Sequence, residues 1–144
     1  MCEWPMGSYS SMAAEFVNLY AEKWQSVVEL GAGVGSASRQ IALPTDGDYL
    51  RTDRNPFLLR GDLPGRVECY DFESPSTLLD VDLAFAVNAL HCAKDYRASL
   101  SYVYDMLRIG GTFLLAEGCP RTTAEHDARL DVRCGSAQSP GSKN

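Results

Sequence analysis

Apolar and polar positions along this chain change rhythm several times, and each change marks an element. Between Ser11 and Trp24, Met12, Phe16, Leu19 and Tyr20 fall four, three and one apart, which places them on one face of a helix. Val27-Val28-Glu29-Leu30 is then a short run of the buried-strand type. Ser36 to Leu43 is predicted as a short helix that Pro44 stops, and Asp46-Gly47 as a turn. Tyr49 to Thr52 reads as a second strand ending on Asp53 and broken by Asn55-Pro56. Arg66 to Phe72 alternates, with Val67 and Cys69 on one side, and reads as a third. After a helical turn at Thr77 to Leu79, the segment from Val81 to Leu90 is nearly all apolar, as in a strand covered on both faces. Leu100, Val103, Tyr104 and Leu107 sit at i, i+3, i+4 and i+7, a helical stripe within Ala93 to Arg108 that Gly110-Gly111 is expected to close. Thr112 to Ala116 is a fifth strand ending on Glu117-Gly118. Beyond it, Asp127 to Cys134 offers at most one weak strand.

Alternation of strand and helix between residues 27 and 117 predicts an α/β fold, a doubly wound and mostly parallel sheet with helices on both faces. The expected strand order is 3-2-1-4-5. Such a sheet is abbreviated at its C-terminal edge. The edge beside the fifth strand would then be open to self-association or to a partner domain. The domain reading is a flexible lead-in at 1–10, a core at 11–134, and a disordered tail at 135–144 made of Ser, Gly, Pro and Lys with little to bury.

Composition narrows the function classes. A length of 144 residues suits one domain, and 45% hydrophobic against 22% charged residues is the balance of an ordinary globule rather than a disordered chain. The net charge of -6 argues against a broad nucleic-acid surface. No run of about 18 apolar residues spans a membrane, and Met1 to Ser10 lacks the basic and apolar regions of a signal peptide. The five cysteines, Cys2, Cys69, Cys92, Cys119 and Cys134, are odd in number and widely spaced. They suit a reducing, cytoplasmic setting better than a disulfide framework.

Candidate chemistry begins at Glu29-Leu30-Gly31-Ala32-Gly33-Val34-Gly35. Glycines that leave a strand and open a helix allow a tight turn and close approach of a ligand to the backbone. Such a loop serves a dinucleotide or the amino-acid half of S-adenosylmethionine. A dinucleotide fingerprint wants Gly-x-Gly-x-x-Gly, whereas here the third glycine comes one residue early. Glu29, two residues before the first glycine, suits the ammonium of a methionine moiety. Asp53, at the end of the next strand, is placed to accept hydrogen bonds from two ribose hydroxyls, and Asp71-Phe72, ending the third, to meet an adenine.

On these residues, with Asn88-Ala89-Leu90-His91-Cys92-Ala93-Lys94-Asp95 and Leu107-Arg108-Ile109-Gly110-Gly111-Thr112-Phe113-Leu114-Leu115-Ala116-Glu117, the chain resembles class I S-adenosylmethionine-dependent methyltransferases. Within them it is most similar to the C-methyltransferase domains of polyketide synthases, over about residues 12 to 118. The glycine motif is shared widely and says little about substrate; the Asn-x-Leu-His segment with Glu117 is more specific. The resemblance implies a Rossmann-like core and S-adenosylmethionine as cofactor, bound by Glu29, Gly31, Gly33, Gly35, Asp53, Asp71, Phe72 and Asn88. It also implies His91 as a general base with Glu117 as its orienting partner, and a β-ketoacyl or similar small-molecule or carrier-bound acceptor. A geometric argument runs beside it. Adjacent strands lie about 4.8 Å apart, so side chains closing the fourth and fifth strands can meet, and a carboxylate beside an imidazole fixes its tautomer. Family members carry a long lid before the glycine strand and further strands after the fifth, and Cys119 to Asn144 looks unlike them.

Two other classes stay open. One is a non-catalytic scaffold or interaction module derived from a methyltransferase. The other is a nucleotide-dependent oxidoreductase, since Asp53 stands 22 residues after Gly31, near the spacing of a ribose-binding carboxylate. His91-Cys92 has no second ligand pair at metal spacing, so no metal site is expected. His126 reads as a surface residue, Arg51, Arg54 and Arg60 as a solvated face, and Trp24 as packing at the end of the first helix.

Overall fold

The computed structural model describes residues 6–43, 48–118 and 133–136. Six strands form one sheet in the order β3-β2-β1-β4-β5-β6: β1 Ser26–Leu30, β2 Asp48–Asp53, β3 Arg66–Cys69, β4 Val81–Val87, β5 Leu107–Ala116 and β6 Arg133–Ser136. The first five are parallel, in the predicted order. β6 runs antiparallel to β5, with Leu115 opposite Arg133 and Thr112 opposite Ser136. The edge beside the fifth strand is therefore partly paired, which corrects the expectation of an open edge. Gly135 and Ser136, assigned to the tail, are part of this strand. The remaining tail (137–144), the first five residues, Asp46-Gly47 and His126 lie outside the described residues.

Among the described residues, one α-helix packs on each face. Strand side chains alternate between the two layers. Val27, Tyr49, Leu83, Phe85 and Leu114 meet Ala13, Ala14 and Val17 of α1 (Met6–Leu19). Val28, Leu50, Val81, Ala84 and Ala86 meet Val103 and Met106 of α2 (Tyr96–Met106). Burying a side chain such as Phe85 or Leu83 contributes about 2 kcal/mol or more.

α1 buries a face other than the predicted one, whereas α2 buries part of its predicted stripe, Val103 fully and Leu107 partly. In α1 the buried set is Ser10, Ala13, Ala14 and Val17, while Met12 and Leu19 are exposed. The bulky layer of Tyr49, Leu83 and Phe85 beneath leaves room for a small-residue face. Phe16, Tyr20 and Trp24 instead stack edge-to-face along the helix end, where Trp24 Nε1 donates to Val17 O at 3.1 Å. In α2 Ser99, Val103 and Met106 turn inward and Leu100 and Tyr104 outward. Asp95 caps its start by accepting from Arg97 N and Ala98 N. Gly110-Gly111 does not close α2. The strand begins directly at Leu107, and the glycines sit in an irregularity where Val81 pairs with Leu107 but Leu83 with Thr112. The expected helix at Ser36 to Leu43 is only a 3-10 turn, Ser38–Gln40. Thr77 to Leu79 has no helical turn, and β3 stops at Cys69.

Arg51 is the largest departure from the surface expected of it. It is 1% exposed, and its guanidinium donates to the carbonyls of Pro64, Arg60 and Leu63. It thereby ties the β2–β3 connection down beside β2. Arg60 forms an exposed pair with Asp62.

Candidate functional site

The glycine loop is set by contacts on three sides. Gly31 has φ +66°, and a Cβ there would lie 2.7 Å from Ala89 Cβ, so only glycine lets the end of β1 approach the segment after β4. Gly35 has φ +86°, and a Cβ there would meet Leu63 at 2.3 Å. Ala32 N donates to Thr52 O and Thr52 Oγ1 to Glu29 O, which locks the loop to β2.

Asp53 closes β2 with both carboxylate oxygens engaged by main chain: Gly33 N at 2.9 Å on Oδ2 and Asn55 N at 2.8 Å on Oδ1. Each oxygen retains a further lone pair for a ligand hydroxyl. Asp71 accepts from Glu73 N, and Phe72 packs on the α2-side core beside Gly31.

These residues line a cleft with two lobes. One, about 170 Å³, is bounded by Gly31, Asp53, Asp71, Phe72, Asn88 and Cys92. The other, about 210 Å³, includes Ser10, Glu29, Gly33, Ser36 and again Gly31 and Asn88. Together they reach the low end of small-molecule sites, roughly 300–1,000 Å³. Asn88, which stands between the lobes, has φ +50°, a conformation asparagine tolerates better than most residues.

Glu29 lines the second lobe yet is 2% exposed. Its Oε2 accepts from Ser38 Oγ at 2.6 Å and from the Tyr49 hydroxyl. Burial pushes its carboxyl above the ordinary value, against the opposing effect of these hydrogen bonds and of Arg51. The Tyr49 hydroxyl is pushed up as well, by burial first and then by Glu29.

At the ends of β4 and β5, Glu117 Oε1 accepts from Ala89 N at 2.7 Å and Leu90 N at 2.6 Å. Its Oε2 lies 2.9 Å from His91 Nδ1. The imidazole is half exposed, while Glu117 is largely covered. Every site residue named from the sequence thus falls at the carboxyl ends of the strands. Glu29, Gly31, Gly33, Asp53, Asp71, Phe72 and Asn88 line the cleft, Gly35 supports its loop, and His91 with Glu117 stands at its rim. Arg54, Glu73 and Cys92 also line the first lobe and were not singled out as cofactor contacts. Arg54 and Glu73 pair at 3.7 Å, a meeting of two loops that local pattern does not reveal.

Neither a protein-family model nor a curated protein sequence matches the chain. Solved structures do. The CurJ carbon methyltransferase superposes with a TM-score of 0.67 at 21% identity, over 78% of this chain and 35% of that one. The fold is that of the S-adenosylmethionine-dependent methyltransferases. The methyltransferase domain of the citrinin polyketide synthase gives 0.67 at 19% identity, over 78% and 35%. The trans-methyltransferase CalH, in complex with S-adenosylhomocysteine, gives 0.64 at 17%, over 80% and 39%. The chain thus spans little more than a third of these methyltransferases.

Proposed function

We propose that this methyltransferase fold binds S-adenosylmethionine in the two-lobed cleft and methylates an acidic carbon of a small or carrier-bound β-ketoacyl compound. The observation that carries this reading is the His91–Glu117 contact of 2.9 Å at the rim of that cleft. The cleft fits the cofactor. Gly31 lines both lobes, Asp53 presents fixed acceptors for a ribose, and the lobes extend to either side of Asn88. When bound, the cofactor supplies an electrophilic methyl group on a sulfonium.

The chain's own residues do the rest. Asp53 holds the ribose hydroxyls, Asp71 and Phe72 the adenine side, and the glycine loop with Asn88 the amino-acid side. Glu117, fixed by two main-chain N–H groups, accepts from His91 Nδ1 and orients the ring. With that tautomer Nε2 keeps its lone pair and takes the proton from carbon flanked by two carbonyls, a task suited to histidine.

The half-exposed imidazole favours a second reading, a binding module without turnover. Calorimetry with S-adenosylhomocysteine and NADH, followed by methyl transfer to an acetoacetyl thioester, separates the readings. Binding of the homocysteine product with turnover supports the proposal. Binding without turnover supports the module. Binding of NADH alone overturns the methyltransferase reading in favour of an oxidoreductase.

A further inference from the structure

Two exposed free thiols occur among the described residues, Cys69 and Cys92, and their surroundings differ. Cys69 Sγ donates to the main-chain carbonyl of Arg54 at 3.6 Å, a contact that gives the sulfur no base. Cys92 Sγ lies 3.3 Å from His91 Nε2. The other ring nitrogen faces Glu117 Oε2. With the carboxylate as acceptor, Nδ1 carries the hydrogen and Nε2 the lone pair, a tautomer assigned from the network. The Cys92 thiol therefore donates to Nε2. Nucleophile, base and orienting carboxylate stand in sequence, the arrangement that activates a side chain for covalent chemistry.

Position adds a consequence. Cys92 lines the first lobe of the cleft together with Asp53, Asp71 and Phe72. A group attached to its sulfur projects into the space assigned to the nucleoside. We propose that Cys92 is a covalent modification site, S-thiolated by low-molecular-weight disulfides, and that the attached thiol and the cofactor exclude one another. In the exchange the Cys92 sulfur attacks one sulfur of the disulfide. A Cys92–sulfur bond forms as the disulfide bond breaks. The Cys92 proton passes to His91 Nε2 and then to the departing thiolate. Cys92 is oxidised and the small disulfide reduced, so no further reagent is needed. Mutual exclusion rests on the proposed cofactor site; the reactivity of the thiol does not.

The test treats the full chain with oxidised glutathione and follows Cys92 and Cys69 by peptide mass spectrometry, which separates them from Cys2, Cys119 and Cys134. Cys92 is expected to be thiolated about tenfold faster than Cys69 or more. His91→Ala should bring Cys92 down to the rate of Cys69 while leaving Cys69 unchanged, which reports an intact fold. Equal rates in the unaltered protein overturn the proposal without reference to any variant. So does a fast Cys92 that ignores the loss of His91. Saturating S-adenosylhomocysteine should slow Cys92 and spare Cys69. If it binds by calorimetry yet gives no protection, mutual exclusion is wrong. If it does not bind, the cofactor reading and with it mutual exclusion fall, and the two thiolation rates alone decide the modification site.

Discussion

The two ends of the central strand β4 carry nearly the same device. At its start, Asp82 Oδ2 accepts from two consecutive main-chain amides, Gln25 N at 2.7 Å and Ser26 N at 3.0 Å, and its Oδ1 pairs with Arg108. Past its end, Glu117 accepts from two consecutive amides, Ala89 N and Leu90 N, and pairs with His91. Each carboxylate ties a neighbouring chain segment to the sheet. The difference is the third partner. Arginine is permanently charged and only donates, so the contact at the start of β4 can only hold structure. Histidine can give and take a proton, and it stands beside a cleft and a thiol. One anchoring geometry therefore serves stability at one end of the strand and suits chemistry at the other.

Removing the titratable partner should give the largest effect. His91→Ala should lower methyl transfer by about 10²–10⁴-fold, with S-adenosylhomocysteine affinity and thermal unfolding nearly unchanged because the ring is half exposed. A rate within threefold of the unaltered protein would break the comparison at its functional end. Calorimetry and a thiol-ester methylation assay read both quantities.

Gly31→Ala should come next. The backbone φ of +66° and the 2.7 Å approach to Ala89 force the loop to shift. Cofactor binding should weaken about tenfold or more, at a stability loss of about 1–2 kcal/mol. Unchanged calorimetric affinity would mean that the glycine loop does not line the ligand.

The two carboxylates should then separate. Asp82→Ala should destabilise the fold by about 2–3 kcal/mol in urea, through two orphaned amides and a lost ion pair, while the cofactor affinity of the folded protein stays constant. Glu117→Gln keeps an acceptor for the amides, so it should lose about 1 kcal/mol or less but slow methyl transfer strongly. If the two variants changed stability and rate in the same proportion, the division of labour along β4 would be wrong.

Glu29 supplies the smallest and most specific contrast, because its donors are side-chain hydroxyls and it is buried more deeply than either. Its folded carboxyl is held above the ordinary value of 4.5. The stability it contributes is fully present below that value and is lost as pH rises through the raised folded value, where the unfolded chain ionises more readily. Glu29→Gln should remove this dependence. Unfolding midpoints of the two proteins should converge or cross as pH rises from about 5 to about 8. Parallel curves would show that Glu29 ionises in the fold as readily as in the unfolded chain.

Much of the site was legible in the chain itself. The run Val27 to Leu30, the early third glycine, Asp53 at a strand end and the pair His91 and Glu117 all follow from local pattern and parallel strand order, because a strand end fixes where its last side chain stands. Tertiary structure decided the rest. Periodicity favoured the bulky stripes Met12-Phe16-Leu19-Tyr20 and Leu100-Val103-Tyr104-Leu107, but the residues most deeply packed are Ala13-Ala14-Val17 and Ser99-Val103-Met106, which share only Val103 with those stripes. Small residues carry little hydrophobic signal, and only the shape of the opposing sheet selects them. A charge such as that of Arg51 is tolerated in the interior only when a distant loop offers three carbonyls, which local sequence cannot announce. The 3.3 Å meeting of Cys92 with His91 is likewise a product of the turn after β4. Neighbours in sequence face each other only where the backbone bends to bring them together.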